Sequence, residues 1–180
     1  MKQSEIIAQG PTVQLRFLTI DDAQPMFETL SDEEAMRLTG TKENFSFSQV
    51  EAHCSNIQIA EDRADFGILA GGRLIGEVVL NHIDTGNRCA SLRIAIWYQQ
   101  ARGHGYGTEA LGLALNYGFE TLALNRIELE VYAFNPRARH VYEKLGFVAE
   151  GTRRQALWWD GVPVDAILMG LLRSEFKSTV

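Results

Sequence analysis

The chain has 180 residues, of which 46% are hydrophobic, and its formal net charge is −6 at pH 7 with a pI near 5.2. This length suits one domain with a substantial core, and we expect a single domain over residues 1–180. The acidic balance, with no Lys/Arg cluster longer than Arg153-Arg154, excludes the electrostatic footprint of a nucleic-acid-binding protein.

The first third is predicted to hold one strand followed by short helices. Val13 to Leu18 alternates as a strand does. Capping-box patterns at Ser31-x-x-Glu34 and Ser48-x-x-Glu51 precede helical periodicity, so we expect three short helices between Ile20 and Ala60. The same region carries acidic side chains that either solvate helix ends or face a cationic substrate: Asp32, Glu33, Glu34 and Glu43.

Three antiparallel strands are predicted next. Phe66 to Ala70 and Leu74 to Leu80 are apolar runs separated by Gly71-Gly72, a strong hairpin signal because primed turns need positive φ. Thr85-Gly86-Asn87 makes the following turn, and Ala90 to Trp97 alternates as a third strand.

A glycine-rich loop, from Arg102 to Ala110, follows that strand and opens an apolar helical run that ends at Leu124. Glycines allow backbone N–H groups to approach a ligand closely, and the start of a helix attracts phosphate. The loop is not a dinucleotide fingerprint, because Thr108 stands where the third glycine belongs, and the chain lacks the Gly-Lys-Ser/Thr of nucleoside-triphosphate loops. A flexible glycine turn is the alternative.

The last third is predicted to hold a strand, a helix and a long hairpin. Arg126 to Phe134 alternates and should pair in parallel with the strand before the glycine loop. Asn135-Pro136 starts a helix that Gly146 closes. Phe147 to Leu172 should turn at Asp160-Gly161, where Trp158 and Trp159 suggest packing or a homodimer surface rather than a substrate site.

Several other features limit the kind of protein. Cys54 and Cys89 are too few and too scattered for a disulfide framework or a zinc site, and the four histidines show no metal-binding spacing. Residues 1–5 lack signal-peptide organisation, and no apolar run approaches the roughly 18 residues that cross a bilayer. We therefore expect a cytoplasmic protein without metal or membrane partners.

Two blocks resemble the GNAT superfamily of N-acetyltransferases: Arg102-x-x-Gly105-x-Gly107, and Asn135 followed by Tyr142-x-x-x-Gly146-Phe147. The most similar subgroup is that of the ribosomal-protein N-terminal and spermidine or diamine acetyltransferases. The resemblance implies an α/β fold with a mostly antiparallel central sheet, one parallel pair and flanking helices. It also implies acetyl-CoA as cosubstrate and a primary amine as acceptor, on either a protein N-terminus or a small polyamine.

The resemblance also assigns the cofactor site. The strand before the loop should be splayed from its neighbour so that its backbone pairs with the pantetheine arm, and Tyr142 should donate a proton to the departing thiolate. Asn135 could contact the cofactor or simply cap its helix, and Tyr142 could be ordinary core. The cofactor-binding residues implied are Ala95, Ile96, Trp97, Arg102, Gly103, His104, Gly105, Tyr106, Gly107, Thr108, Asn135 and Tyr142.

The general base is less determined. Related enzymes carry a glutamate near the positions held here by Ser91, Leu92 and Arg93, so this chain departs from the pattern. Glu77 on the preceding strand, helped by His82, is a substitute candidate, and a water chain is another; Glu77 as a solvent-facing strand residue is the structural alternative. The missing glutamate also leaves open a non-catalytic acyl-CoA sensor.

Overall fold

The computed structural model describes residues 5–30 and 32–178, whose strands form one eight-stranded sheet with helices on both faces. The strands are β1 Ile6–Gln9, β2 Val13–Phe17, β3 Ala64–Ala70, β4 Arg73–Asp84, β5 Cys89–Ile96, β6 Arg126–Tyr132, β7 Val148–Trp159 and β8 Val162–Leu172. The α-helices are α1 Ala23–Thr29, α2 Glu33–Thr39, α3 Phe47–Ile57, α4 Tyr106–Asn116 and α5 Pro136–Lys144.

The strand order is β1-β2-β3-β4-β5-β6-β8-β7, and every neighbouring pair is antiparallel except β5 and β6. This confirms the predicted fold class. The parallel pairing is short, since its register ends with Ser91 opposite Glu128. Beyond that point β5 and β6 separate, and we call the opening between them the seam.

Local turn chemistry explains why the hairpins form where the sequence predicts them. Gly71 and Gly72 have φ of 57° and 77°, and Asp160 and Gly161 have φ of 48° and 77°. Two consecutive residues with positive φ match the twist of the flanking strands. Each turn therefore sets the register of the hairpin that it closes.

Two apolar layers hold the sheet between its helices. On one face α4 packs against Leu92, Ile127 and other core residues, and its stretch from Ala110 to Leu115 is buried throughout. On the other face α1 and α3 cover a second cluster that includes Trp97. This arrangement places the glycine loop, which lies between β5 and α4, at the boundary between the two layers.

The first half differs from the prediction in three details. Strand β1 was not predicted, because it has four residues and its side chains are largely exposed. Ser31 lies outside the described residues, and Asp32 caps α2 by accepting from the backbone N–H of Ala35. Helix α3 is capped by Ser46 with Gln49 rather than by Ser48.

The described residues also bear on partners and redox state. None of their helices is both long and apolar enough to cross a bilayer. Among them, no three His, Cys, Asp or Glu side chains are grouped as metal ligands would be. Cys54 and Cys89 are both free thiols.

Candidate active site

The glycine loop turns sharply into α4 at two residues with positive φ. Gly103 has φ 92°, and Gly105, the N-cap of α4, has φ 85°. A side chain would be strained at both positions, so glycine is required by the backbone and not only by the ligand. A Cβ built on Gly105 would meet no atom within 4 Å, so the space in front of the loop is open.

The backbone N–H groups of this loop form a cluster of available donors. Within the part of the chain that the structure describes, the N–H groups of residues 103–108 donate to no acceptor. Arg102 is different, because its N–H already donates to the carbonyl oxygen of Gln99 at 3.0 Å. Successive free amides at the positive end of a helix make an anion site, so the geometry suits a diphosphate.

The side chain of Arg102 does not point free into this site. Its guanidinium donates to Asp32 at 2.7 Å and to Glu34 at 2.8 Å, both on or next to α2. It also donates to the carbonyl oxygen of Ile96 at 3.2 Å. Arg102 therefore braces the loop against α2 and the end of β5, whereas the sequence suggested a direct cofactor contact.

A second arginine, Arg137, supplies the positive charge that Arg102 does not. It lies in the first turn of α5, and its Nη2 is 3.6 Å from the position that a Cβ on Gly103 would occupy. Sequence reasoning missed Arg137, because nothing local indicates that α5 starts beside the loop. The ring of His104 is held 3.0 Å from the carbonyl oxygen of Gln100, so only the backbone of His104 belongs to the donor cluster.

The edge of β5 that faces the seam carries fewer donors than the sequence suggested. The N–H of Trp97 already donates to the carbonyl oxygen of Ile75 at 2.9 Å, so it is not free for a thioester. The backbone N–H and C=O groups of successive residues point alternately to the two sides of an antiparallel strand. The backbone groups of Ala95 therefore point toward β4, as those of Trp97 do, whereas the backbone groups of Ile94 and Ile96 point into the seam. Of the three predicted cofactor-binding residues on this strand, Ile96 is therefore the one whose N–H faces the seam.

A cleft of about 830 Å³ runs from the glycine loop through the seam to the opposite face of the sheet. Most of the predicted cofactor residues line it, and Trp97, His104 and Glu77 do not. The predicted residues in its wall are Ala95, Ile96, Arg102, Gly103, Gly105, Tyr106, Gly107, Thr108, Asn135 and Tyr142.

Tyr142 presents its hydroxyl to this cleft from a buried ring. The residue is 8% exposed, and desolvation by burial raises the pKa of its phenol to about 12. No hydrogen bond to the hydroxyl occurs within residues 5–30 and 32–178, so it is available to a ligand. Asn135 also lines the cleft, and its carboxamide oxygen caps α5 by accepting from the N–H of Ala138 at 3.1 Å.

The structure separates Glu77 from these groups. It lies on β4, opposite Ala95, on the face of the sheet that α1 and α3 cover. Burial raises the pKa of its carboxyl to about 7, with Arg93 acting in the opposite direction. His82, its suggested helper, lines the cleft but is not adjacent to it in the strand pattern, so the structure does not assemble a Glu77–His82 pair.

The far end of the cleft is lined by charged residues that the sequence did not single out. Arg126 bonds to Glu128 at 3.0 Å and to Glu150 at 2.5 Å, and Arg153 bonds to Glu130 at 2.5 Å. These residues come from two strands, β6 and β7, which lie on either side of β8, so only the folded sheet brings them together.

Comparison with known proteins gives consistent matches. Residues 12–148 match the family described as Acetyltransferase (GNAT) domain. The chain is 34% identical over 112 residues to the putative ribosomal N-acetyltransferase YdaF of Bacillus subtilis, covering 62% of this chain and 60% of that protein. It is 36% identical over 103 residues to spermidine N(1)-acetyltransferase of Vibrio cholerae, covering 57% of this chain and 59% of that protein. These two alignments therefore span about 60% of each relative.

A solved structure extends the match to most of the chain. Spermidine N-acetyltransferase from Vibrio cholerae, in complex with CoA and spermine, superposes with a TM-score of 0.86 at 28% identity. The superposition covers 92% of this chain and 98% of that one.

Proposed function

The chain belongs to the acetyltransferase (GNAT) family, whose acyl donor is acetyl-CoA, and from this premise we propose that it acetylates a primary amine on a protein N-terminus or a small polyamine. One observation carries the proposal. The free amides of residues 103–108 and the unbonded hydroxyl of Tyr142 line the same cleft, with the open edge of β5 between them. This is the order of phosphate, arm and sulfur along an acyl-CoA.

The donor amides and Arg137 hold the diphosphate, because both are positive and neither is neutralised by a carboxylate within the described residues. The pantetheine arm then pairs with the seam edge of Ile94 and Ile96 as an added strand would. This placement brings the thioester toward Tyr142.

The reaction is direct attack of the neutral amine on the thioester carbonyl carbon. A backbone N–H on the seam edge of β5 that the pantetheine arm leaves free donates to the developing oxyanion, the C–S bond breaks, and the thiolate leaves with the electron pair. A thiol pKa of about 8.5 lies well below the phenol pKa of about 12, so full proton transfer from Tyr142 would cost about 5 kcal/mol. Tyr142 therefore stabilises the thiolate by donating a hydrogen bond during bond breaking.

Glu77 does not line the cleft, and three of the four glutamates that do are bonded to arginines. The bases left unbonded in the described lining are Glu43 and His82, and water reaches both through the open cleft. We propose that the proton leaves through water. Glu77 as the base remains a separate proposal, supported by its pKa of about 7, and is tested below.

An amine panel tests the function. The protein is mixed with acetyl-CoA and with peptides, polyamines and amino acids, and free thiol is followed. Amine-dependent thiol release is expected, together with the mass of the acetylated acceptor. Tight CoA binding without release on any amine would favour the second candidate, an acyl-CoA sensor, which the missing base motivates.

We also propose a cytoplasmic homodimer. Its support is the β7–β8 hairpin, where Trp158 is 55% and Val162 60% exposed, and the free thiols of Cys54 and Cys89. Light scattering on the protein and on Trp158→Ser measures the mass. A monomeric parent protein would contradict the dimer.

A further inference from the structure

The glycine loop carries an exposed imidazole, His104, on the outer side of the cleft. Its neighbours Gly103, Gly105 and Tyr106 line the cleft, whereas His104 is not among the described lining residues. The ring of His104 therefore borders the entrance of the cleft and lies outside the space that the pantetheine arm and the acceptor would fill.

Two contacts hold this ring in one orientation. Its Nε2 lies 3.0 Å from the carbonyl oxygen of Gln100, and because a carbonyl oxygen only accepts, Nε2 carries the proton and donates it. The ring also stacks on that of Tyr106, with centroids 5.5 Å apart and planes inclined by 27°. Little rotational freedom is left for a ligand to remove on binding.

The support of the stacked pair comes from the interior of the protein. Tyr106 is the first residue of α4, and its half-buried ring packs against the main core cluster. The core thus supports Tyr106, and Tyr106 supports one face of His104. Since His104 is exposed, its other face is open to solvent.

The stacked pair adjoins the group that binds the diphosphate. His104 belongs to the same run of residues, 103–108, whose backbone N–H groups are free, so a diphosphate on those amides lies beside its ring. The diphosphate of CoA joins two arms. Because the pantetheine arm follows β5 into the seam, the nucleotide leaves the loop in the opposite direction, past the entrance of the cleft where His104 lies.

We propose that the stacked rings of His104 and Tyr106 form a platform for the adenine base of acetyl-CoA, with the base on the outer face of His104. Every base has an apolar face that stacks on aromatic side chains, histidine included. The inference rests on the proposed position of the diphosphate and adds a subsite for the purine. His104 binds the cosubstrate and takes no part in bond breaking.

Two substitutions separate the ring from the hydrogen bond that orients it. His104→Gln keeps an amide donor for the carbonyl oxygen of Gln100 and removes the ring, whereas His104→Phe keeps a flat ring and removes the donor. By calorimetry we expect His104→Gln to weaken CoA binding by roughly 10-fold and His104→Phe to stay within about 3-fold of the parent. His140→Gln, at an exposed histidine of α5 outside the described lining, should bind CoA as the parent does.

Two shorter ligands locate the contact on the cosubstrate. 4′-Phosphopantetheine has no nucleotide, so its Kd should be the same for the parent and for His104→Gln. Dephospho-CoA lacks the 3′-phosphate and keeps the adenine, so it should show the same roughly 10-fold loss as CoA. A loss seen with CoA and not with dephospho-CoA would mean that the imidazole contacts the 3′-phosphate, and it would overturn the purine platform.

The remaining outcomes are equally decisive. Unchanged CoA affinity in His104→Gln would overturn the platform. So would an equal loss in His104→Phe, which would assign the effect to the bond with Gln100, or an equal loss with 4′-phosphopantetheine, which would assign it to a distorted loop. The measurement is of binding, so a protein that binds CoA and acetylates no amine would overturn the proposed function and leave the platform standing.

Discussion

The Nη2 of Arg102 lies 2.7 Å from the Oδ2 of Asp32, which ties the glycine loop to the start of α2. Burial alone would raise the pKa of Asp32, but hydrogen bonds from the N–H of Ala35 and from Arg102 outweigh it and hold the pKa below its usual value. The ion pair thus connects the glycine loop, where we propose that the diphosphate binds, to α2, whose residues also line the cleft.

Breaking this ion pair should weaken binding of the acceptor amine more than binding of CoA. We expect Asp32→Asn and Arg102→Gln to raise the KM of the acceptor several-fold while CoA affinity stays within about 2-fold, because the donors of residues 103–108 are retained. A double-mutant cycle in urea should give a coupling of about 1 kcal/mol. The exposed Arg139–Glu143 pair serves as the control and should couple less. An equal loss of CoA affinity would show that the guanidinium binds phosphate.

Gly105→Leu should abolish tight CoA binding. The new side chain would enter the open space in front of the donor amides and would be strained at φ 85°. Gly161→Leu is the matched control, since φ there is 77° and the space is also open, but the residue lies in the β7–β8 turn. Both variants should lose similar stability, and only the first should lose the rise in Tm that CoA produces. Equal Tm shifts with CoA would remove the diphosphate from this loop.

Tyr142→Phe should lower kcat by roughly 100-fold and leave CoA affinity unchanged, because the hydroxyl acts on the leaving sulfur while the ring still packs. Single-turnover thiol release separates this step from product release. Tyr117→Phe removes the same atom from a partly buried ring that packs edge-to-face against Phe66 and should not change kcat. If both variants turn over at the parent rate, Tyr142 is only a core residue.

Glu77→Gln tests whether this carboxyl acts as the general base or is only a buried group that destabilises the fold when it ionises. Burial raises its pKa to about 7, so the folded state keeps a proton that the unfolded state releases from pH 4.5 upward. This contribution destabilises the protein as pH rises from about 4.5 to 7, by at most about 3 kcal/mol, and then stays constant. The variant should therefore match the parent near pH 4 and exceed its free energy of unfolding at pH 8.

The kinetic half of the Glu77 experiment is independent of stability. Because Glu77 does not line the cleft, we expect kcat at pH 7 to be retained. A loss of 100-fold or more, with a pH profile that no longer bends near 7, would identify Glu77 as the general base.

The fold was predictable because its signals are local. The double-glycine turn at Gly71-Gly72, the alternation of β5 and the proline after Asn135 each act within a few residues, and all three appear in the structure. The alternation of β5 predicts that Ile94 and Ile96 share one face of the strand, and both pack against the core cluster that includes α4. The differences are the caps, the short exposed β1 and the end of α4, which lies at Asn116 and is followed by a wider helical turn at Tyr117–Thr121 instead of continuing to Leu124.

The sequence predicts where the backbone part of the site lies, but it does not predict which partners the charged side chains of the site have. Glycine spacing indicates where free amides lie, but the partner of a long side chain depends on elements distant in sequence. Arg102 is bonded to residues 68 and 70 positions away, and the N–H of Trp97 is used by a β4 carbonyl. The neighbours of Arg93, Arg126 and Arg153 likewise depend on the order of the strands in the sheet, which local patterns do not predict.

Because β5 and β6 pair over only a few residues, each of these two strands has an unpaired backbone edge in the interior of the sheet. An occupied cleft would cover one of these edges, whereas an empty one leaves a row of backbone donors and acceptors that the strand of another molecule could join. Purification and storage with CoA should therefore slow aggregation by more than the gain in Tm alone explains.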